Sequence, residues 1–381
     1  MRVCYFGTYD PDYPRNRTLV AGLRLAGTEV VTCNAPLWGS TPERIARVTG
    51  GWKSPRFLVQ AAGAWASLVA QHRRAGRYDA MMIGYTGHLD IFLGRPLARR
   101  LGAPVALDIM VSLYNSIVHE RRLTAPNSIK AHFIRWLEAT ACRLADVPLI
   151  DTQANARFLE ELHHLPPGSV GCLYLGADEE LFYPRPRLGN GPFIVQYIGK
   201  YNPVHGVETI VRAAHRLAGE TGIRFQLIGS GQEEGPVRAL AIRLGLTNVE
   251  WHTGWIDLAR LPETFAQADI CLGAFGTTVQ AGRAISHKVY MALAMGKPVI
   301  TGDSPAIREI LEPGRHALLT PGGDAQALAE AILALYRDQA LRQAMGQAGL
   351  ALFRERFTRQ AIGRQLRAIL EEAIAARGQK G

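Results

Sequence analysis

The residues best suited to holding an anion lie in RAISHKVYMALAMGKPVITGDSP, Arg283 to Pro305. The stretch reads as a helix entered at a capping residue, Ser286, and left at Gly296 and Pro298 before the β-branched run Val299, Ile300 and Thr301. Amide groups in a helix's first turn lack intrahelical acceptors, so this start, with His287 and Lys288 beside it, is a ready site for phosphate. A packed helix with nothing bound is the plainer reading of the same residues. Two more loops carry similar chemistry. GKYNPVHG sets Lys200 and His205 on either side of a turn at Pro203, and LIGSGQEEG puts Gly229 and Gly231 where a backbone can approach a ligand closely. In the first half, Asp108 stands where a strand should end, and Asp10, Tyr13, Arg15 and Asn16 follow the first strand. Ligands gather at that edge of an α/β sheet, although Asp and Asn also serve turns for local reasons.

Other chemistries find no pattern. The chain has no GxSxG elbow, no HExxH and no P-loop, and Gly7 is the only glycine before Gly22, which rules out a dinucleotide GxGxxG after the first strand. His163 and His164 are adjacent, so on a helix they point about 100° apart and cannot grip one ion. Asn16-Arg17-Thr18 matches a glycosylation triplet, but no secretion signal accompanies it. Five scattered cysteines without a CxxC pair signal neither a disulfide framework nor zinc, and fit a reducing cytoplasm.

The elements that must position these residues alternate. Strand-like stretches begin at Arg2, Glu29, Tyr78, Pro104 and Val147, each separated from the next by a helical pattern. After DEELFYPRP the alternation restarts at Phe193, Arg224, Val249, Asp269, Pro298 and Ala317, and three helical patterns close the chain. The expected division is a first domain over 1–183, a hinge over 184–192, a second domain over 193–358, and a final helix over 359–381 packing back toward the first. With 381 residues two cores are the default. The formal charge of +10 calls for an anionic partner, but the basic residues are spread through both halves without the aromatic and basic motif of a nucleic-acid binder. Phe57, Leu58, Trp65, Leu68 and Val69 mix with Arg56, His72, Arg73, Arg74 and Arg77 in one amphipathic stretch, which fits an anionic membrane surface or a packed helix with a basic end.

The second half resembles the nucleotide-sugar-dependent glycosyltransferases of family four, glycosyl transferases group 1, in an ordered series of segments. These are FIVQYIGKYNPVHGVETIVRAA, LIGSGQEE, NVEWHTGW, ADICLGAFG, HKVYMALAMGKPVITGDSPAIREIL and HALLTPGGDAQALAEAI. GYTGHLDIFLGRPLARRLGAPVALD and DTQANARFLEE are similar to the acceptor domain of the same enzymes. The resemblance implies an α/β fold of two Rossmann-like, doubly wound domains facing across a cleft (GT-B). It also implies transfer with retention from a nucleoside-diphosphate sugar acting as co-substrate, no cofactor and no essential metal. Such an enzyme would be cytoplasmic, peripheral at the inner membrane face. The implied donor set is Gly7, Lys200, His205, Gly229, Gly231, Arg283, Ser286, His287, Lys288, Val289 and Met291. Asp108, Lys200 and Lys288 take the catalytic roles, and Asp10, Tyr13, Arg15 and Asn16 face an unknown acceptor. Two positions depart from the family. Its paired glutamates are Arg283 and Met291 here, so a sugar-nucleotide epimerase and a non-catalytic scaffold stand as alternatives.

Overall fold

The structure is a computed structural model that describes residues 1–37, 55–121, 123–187, 189–254 and 256–379. Residue 188 of the expected hinge and Trp255, the end of the NVEWHTGW segment, lie outside these residues. The chain divides into two compact units, Met1–Tyr174 with the segment from Arg359 onward, and Leu175–Thr358. The first break comes at Tyr174 rather than at 183, and the polypeptide from Leu175 onward belongs to the second unit.

In the first unit the elements run β1 (Arg2–Gly7), α1 (Pro14–Leu25), β2 (Glu29–Asn34), α2 (Pro55–Ala75), β3 (Ala80–Ile83), α3 (Asp90–Arg99) and β4 (Val105–Met110). A π-helical turn over Asn115–Glu120 leads to α4 (Ile129–Leu144), β5 (Val147–Ile150), α5 (Gln153–His163) and β6 (Gly171–Cys172). The strands form one parallel sheet in the order β2-β1-β3-β4-β5-β6. Its central strands are largely apolar because helices cover both faces, with Asp108 a buried charge in β4, and Phe6, Met81, Ile83, Val105 and Leu107 are fully buried. Pro14 sits at the start of α1, where its missing N–H costs no bond.

The second unit repeats the plan with β7 (Phe193–Ile198), α6 (Val207–Arg216), β8 (Ile223–Ile228), α7 (Glu234–Arg243), β9 (Val249–His252), α8 (Leu261–Gln267) and β10 (Ile270–Leu272). It continues with α9 (His287–Ala294), β11 (Val299–Gly302), β12 (Leu318–Thr320), α10 (Ala325–Arg337) and α11 (Gln339–Arg356). This sheet is also parallel, ordered β12-β11-β10-β7-β8-β9, around a core that includes Val195, Ile210, Phe225 and Ile300. The order reverses between β7 and β10, and sheets of this kind bind ligands outside the carboxyl ends of the strands at such a point. The last helix, α12 (Arg359–Gly378), belongs to the first unit, where Gly363 lies directly on the backbone of Gly22 in α1.

Candidate functional site

The strongest constellation forms at the reversal point of the second sheet. β7 ends in Tyr197 and Ile198, and Gly199 then turns with φ 153°, which frees the space above it. Lys288 fills that space: a Cβ on Gly199 would lie 2.7 Å from its Nζ. The ammonium stands 3.8 Å over the centroid of the buried Tyr197 ring and 3.5 Å from Nδ1 of His205. His205 Nδ1 in turn lies 2.7 Å from the Tyr197 hydroxyl and 2.7 Å from the carbonyl oxygen of Lys200. Loop and helix start are thus brought together, although the Lys200 contact is through its backbone.

The electrostatics follow from burial. Lys288 is buried, and desolvation alone drives its pKa well below the ordinary lysine value. His205 is pushed down to about 3, first by burial and then by the Lys288 charge, so it is a neutral imidazole at any physiological pH. Two cations that close cannot both be held away from water, so His205 adds no charge to the donor set. Among the described residues no carboxylate is ion-paired with Lys288, which lies against an aromatic face and a neutral ring.

The remaining donor-set residues divide. Ser286 occupies the N-cap position with extended dihedrals (φ −68°, ψ 133°), but its side chain makes no capping bond, so it does not occupy the first-turn amides of α9. His287 is turned aside, its Nε2 2.7 Å from the carbonyl oxygen of Gly176. Arg283 is half-buried and donates through its guanidinium to Gln280 Oε1 at 3.2 Å. Val289 and Met291 are buried in α9, a helix almost wholly enclosed rather than lying on the surface. Gly229 and Gly231 have a different use from the one expected. Cβ atoms there would sit 1.9 Å from the Gly199 carbonyl oxygen and 2.3 Å from that of Tyr201, so these glycines let the β8 loop press against the β7 loop.

Two features escaped the sequence. Tyr197 reads as an ordinary strand aromatic, and only its place just before Gly-Lys hints that its ring faces a cation. The loop after β10 supplies the other wall of the reversal point, with Phe275 N–H donating to the His205 carbonyl and Gly276 N–H to that of Val204. Its AFG sequence signals little beyond a turn.

In the first unit most of the predicted residues turn out to be internal. Asp108 lies within β4, fully buried, and both its oxygens accept from Arg15, at 2.9 Å from Nε and 3.1 Å from Nη2. Arg15 also donates to the carbonyl of Tyr174. Breaking such a buried pair costs about 3 to 5 kcal/mol, so Asp108 is a fold-holding carboxylate rather than a free catalytic one. Asn16 is buried too, accepting from the Tyr5 hydroxyl and donating to the carbonyls of Asp10 and Tyr85. Asp10 caps its own turn through Asp12 N–H, and Tyr13 lies 5.2 Å from the ring of Tyr85. These two keep partly exposed side chains at the edge where an acceptor was expected. Gly7 leaves room for Asp90, which accepts from Thr8 N–H (2.7 Å), Thr8 Oγ1 (2.9 Å) and Trp65 Nε1 (3.2 Å). Asp90 was not predicted; it sits in a run, GHLDIFLG, that reads simply as the start of a helix. His163 is spent on the buried Glu138, and His164 is a left-handed helix end, so the two do not share an ion. Among the described residues no group of three or more His, Cys, Asp or Glu could hold a metal.

The family described as Glycosyl transferases group 1 matches residues 192–338, the stretch that contains every element of this constellation. That stretch is similar to a group 1 glycosyltransferase domain. Phosphatidyl-myo-inositol mannosyltransferase of Mycobacterium leprae (strain TN) is 31% identical over 164 residues, 42% of this chain and 40% of that protein. The chain therefore spans less than half of that relative's length. Sucrose-phosphate synthase of Thermosynechococcus elongatus superposes with a TM-score of 0.72 at 19% identity, covering 98% of this chain and 99% of that one. Anabaena Alr3699/HepE in complex with UDP gives 0.69 at 18% identity, covering 97% and 99%. At those identities the likeness is one of fold, and the fold is the expected GT-B. No helix among the described residues is long and apolar enough to cross a membrane.

Proposed function

We propose that the protein is a glycosyltransferase that moves a sugar from a nucleoside-diphosphate sugar to an acceptor hydroxyl with retention of configuration. One observation carries this reading: Lys288 is a buried lysine stripped of water, with no carboxylate ion-paired to it among the described residues, at the reversal point of the sheet that the group 1 match covers. Such a cation is incomplete without an anion. A diphosphate would restore the lost solvation, and as the sugar departs the growing charge on the leaving phosphate would be stabilised more than the ground state is. Neutral His205 would fix the Lys288 and Tyr197 geometry rather than add charge. Lys200, exposed beside it, would meet the outer phosphate. No cofactor is needed for these steps.

UDP is the first donor base to try, since HepE is described as holding it. A lipid acceptor at the inner membrane face belongs to the same reading, in line with the phospholipid in the name of the mycobacterial relative. A scaffold is favoured by one observation: Arg283 and Met291 stand where paired carboxylates would hold the donor, and Met291 is buried. Incubation with UDP-sugars and a membrane extract, with the product's anomeric centre read by NMR, separates these readings. We expect a product with the donor's configuration, and turnover reduced at least tenfold in Lys200→Ala with its melting temperature unchanged. An inverted product would overturn retention; nucleotide binding with no transfer would leave the scaffold.

A further inference from the structure

Three helices on one face of the first sheet share a charge pattern. α2, α3 and α4 all belong to right-handed crossovers running the same way along the sheet, from β2 through β3 and β4 to β5, which puts them side by side on the same face. Side chains confirm their order, with Trp65 of α2 on Asp90 of α3, and Phe92 of α3 stacked on Trp136 of α4 at 6.4 Å and 26°. The only two carboxylates in the three helices, Asp90 and Glu138, are 1% and 0% exposed. Their lysine and arginine positions point the other way: Arg56, Arg73, Arg74, Arg99, Arg135 and Arg143 are exposed, Lys130 is half-exposed, and the half-exposed Arg95 pairs with Asp146.

Large apolar side chains stand among these cations. On α4, Ile129 is 91% exposed, Trp136 55% and Phe133 46%, at the i, i+4 and i+7 spacing of one helical stripe, while Ile134 and Leu137 fill the core side. At the start of α2, Leu58 and Val59 are 58% and 73% exposed, with Phe57 buried beneath them. Soluble surfaces seldom gather this much apolar area without a use.

We propose that this face docks on an anionic lipid bilayer, with Ile129, Phe133 and Trp136 entering the headgroup boundary and the surrounding arginines meeting lipid phosphates. A second copy of the chain is disfavoured because it would set the exposed arginines of one copy against those of the other. Apolar and aromatic residues on one side with cations around them make up the pattern that interfacial helices use, with tryptophan at the headgroup level. The inference rests on peripheral attachment, not on which sugar the second unit handles.

Co-sedimentation with vesicles of phosphatidylcholine alone, or mixed with phosphatidylglycerol, tests it. The protein should pellet with the mixed vesicles, remain in solution with the neutral ones, and be released by salt, which screens the charge term. Ile129→Ser with Trp136→Ser should lower partition into anionic vesicles about tenfold, and Arg99→Glu with Arg135→Glu should abolish it. Arg212→Glu, on the second unit, should leave partition unchanged. Equal binding to both vesicle types, equal loss in Arg212→Glu, or no effect of the serine pair would overturn the proposal. So would a concentration-dependent dimer that the serine pair disperses. Titrating UDP into each variant keeps the outcomes separate, because a docking defect leaves nucleotide binding at the wild-type value.

Discussion

Asp151 lies buried beside the Arg15–Asp108 pair, and burial, the largest influence, pushes its carboxyl up to about 7 against the opposing pull of Asn155 and Arg15. Its folded pKa is above the unfolded one, so the folded chain holds this proton more tightly. Any stability owed to it is complete in acid and drains away as pH rises through about 7. Asp151→Asn should therefore flatten the pH dependence, losing less stability than the wild type between about pH 5 and about pH 8, with a difference on the order of 3 kcal/mol. Urea unfolding at both pH values measures it, and parallel curves would remove the claim. Residue types were legible at this scale, but partners were not. Asp108 and Arg15 both read as site candidates because each follows a strand, and nothing in the spacing says that one bidentate pair, 93 positions apart, consumes them both. Lys288 was named correctly as a cation near a helix start, while its burial over Tyr197 depends on Gly199 and could not be read from either residue alone.

At the level of elements, glycine position decides which surfaces touch. Gly363 of α12 would place a Cβ 1.9 Å from the Gly22 carbonyl of α1, so the two helices meet backbone to backbone. Gly235 of α7 has nothing within 4 Å of the same point. Alanine should act with opposite sign at the two sites. Gly363→Ala should destabilise by about 1 to 3 kcal/mol through overpacking, and Gly235→Ala should stabilise by about 0.5 to 1 kcal/mol by reducing backbone freedom in a helix. Thermal unfolding of both would show the contrast; two shifts of the same sign would refute the packing argument. The strand starts were read from composition to within a residue or two, because a strand buried on both faces must be largely apolar. β6, with two residues, was invisible, since a bridge that short has no periodicity to detect. The turn over Asn115–Glu120 follows a slip in pairing between Asp108 and Met110, where Met110 takes φ 55°, a backbone choice that side-chain type does not announce.

Across the whole molecule, the two doubly wound units followed from alternation alone, while the charge of +10 suggests anionic partners without choosing among them. Structure distributes that charge into two different uses. In the second unit one buried lysine stands at the sheet's reversal point; in the first, exposed arginines surround an apolar stripe. The central claim is that Lys288 is completed by a diphosphate. Calorimetric titration of UDP at about pH 8, in two buffers of different ionisation enthalpy, counts the protons exchanged on binding. Burial lowers the Lys288 pKa in the free protein and a bound diphosphate would raise it, so the account predicts binding in which any proton exchanged at Lys288 is taken up rather than released, and the loss of binding in Lys288→Ala. Binding with net proton release that Lys288→Ala abolishes, or binding that survives in Lys288→Ala, would contradict it.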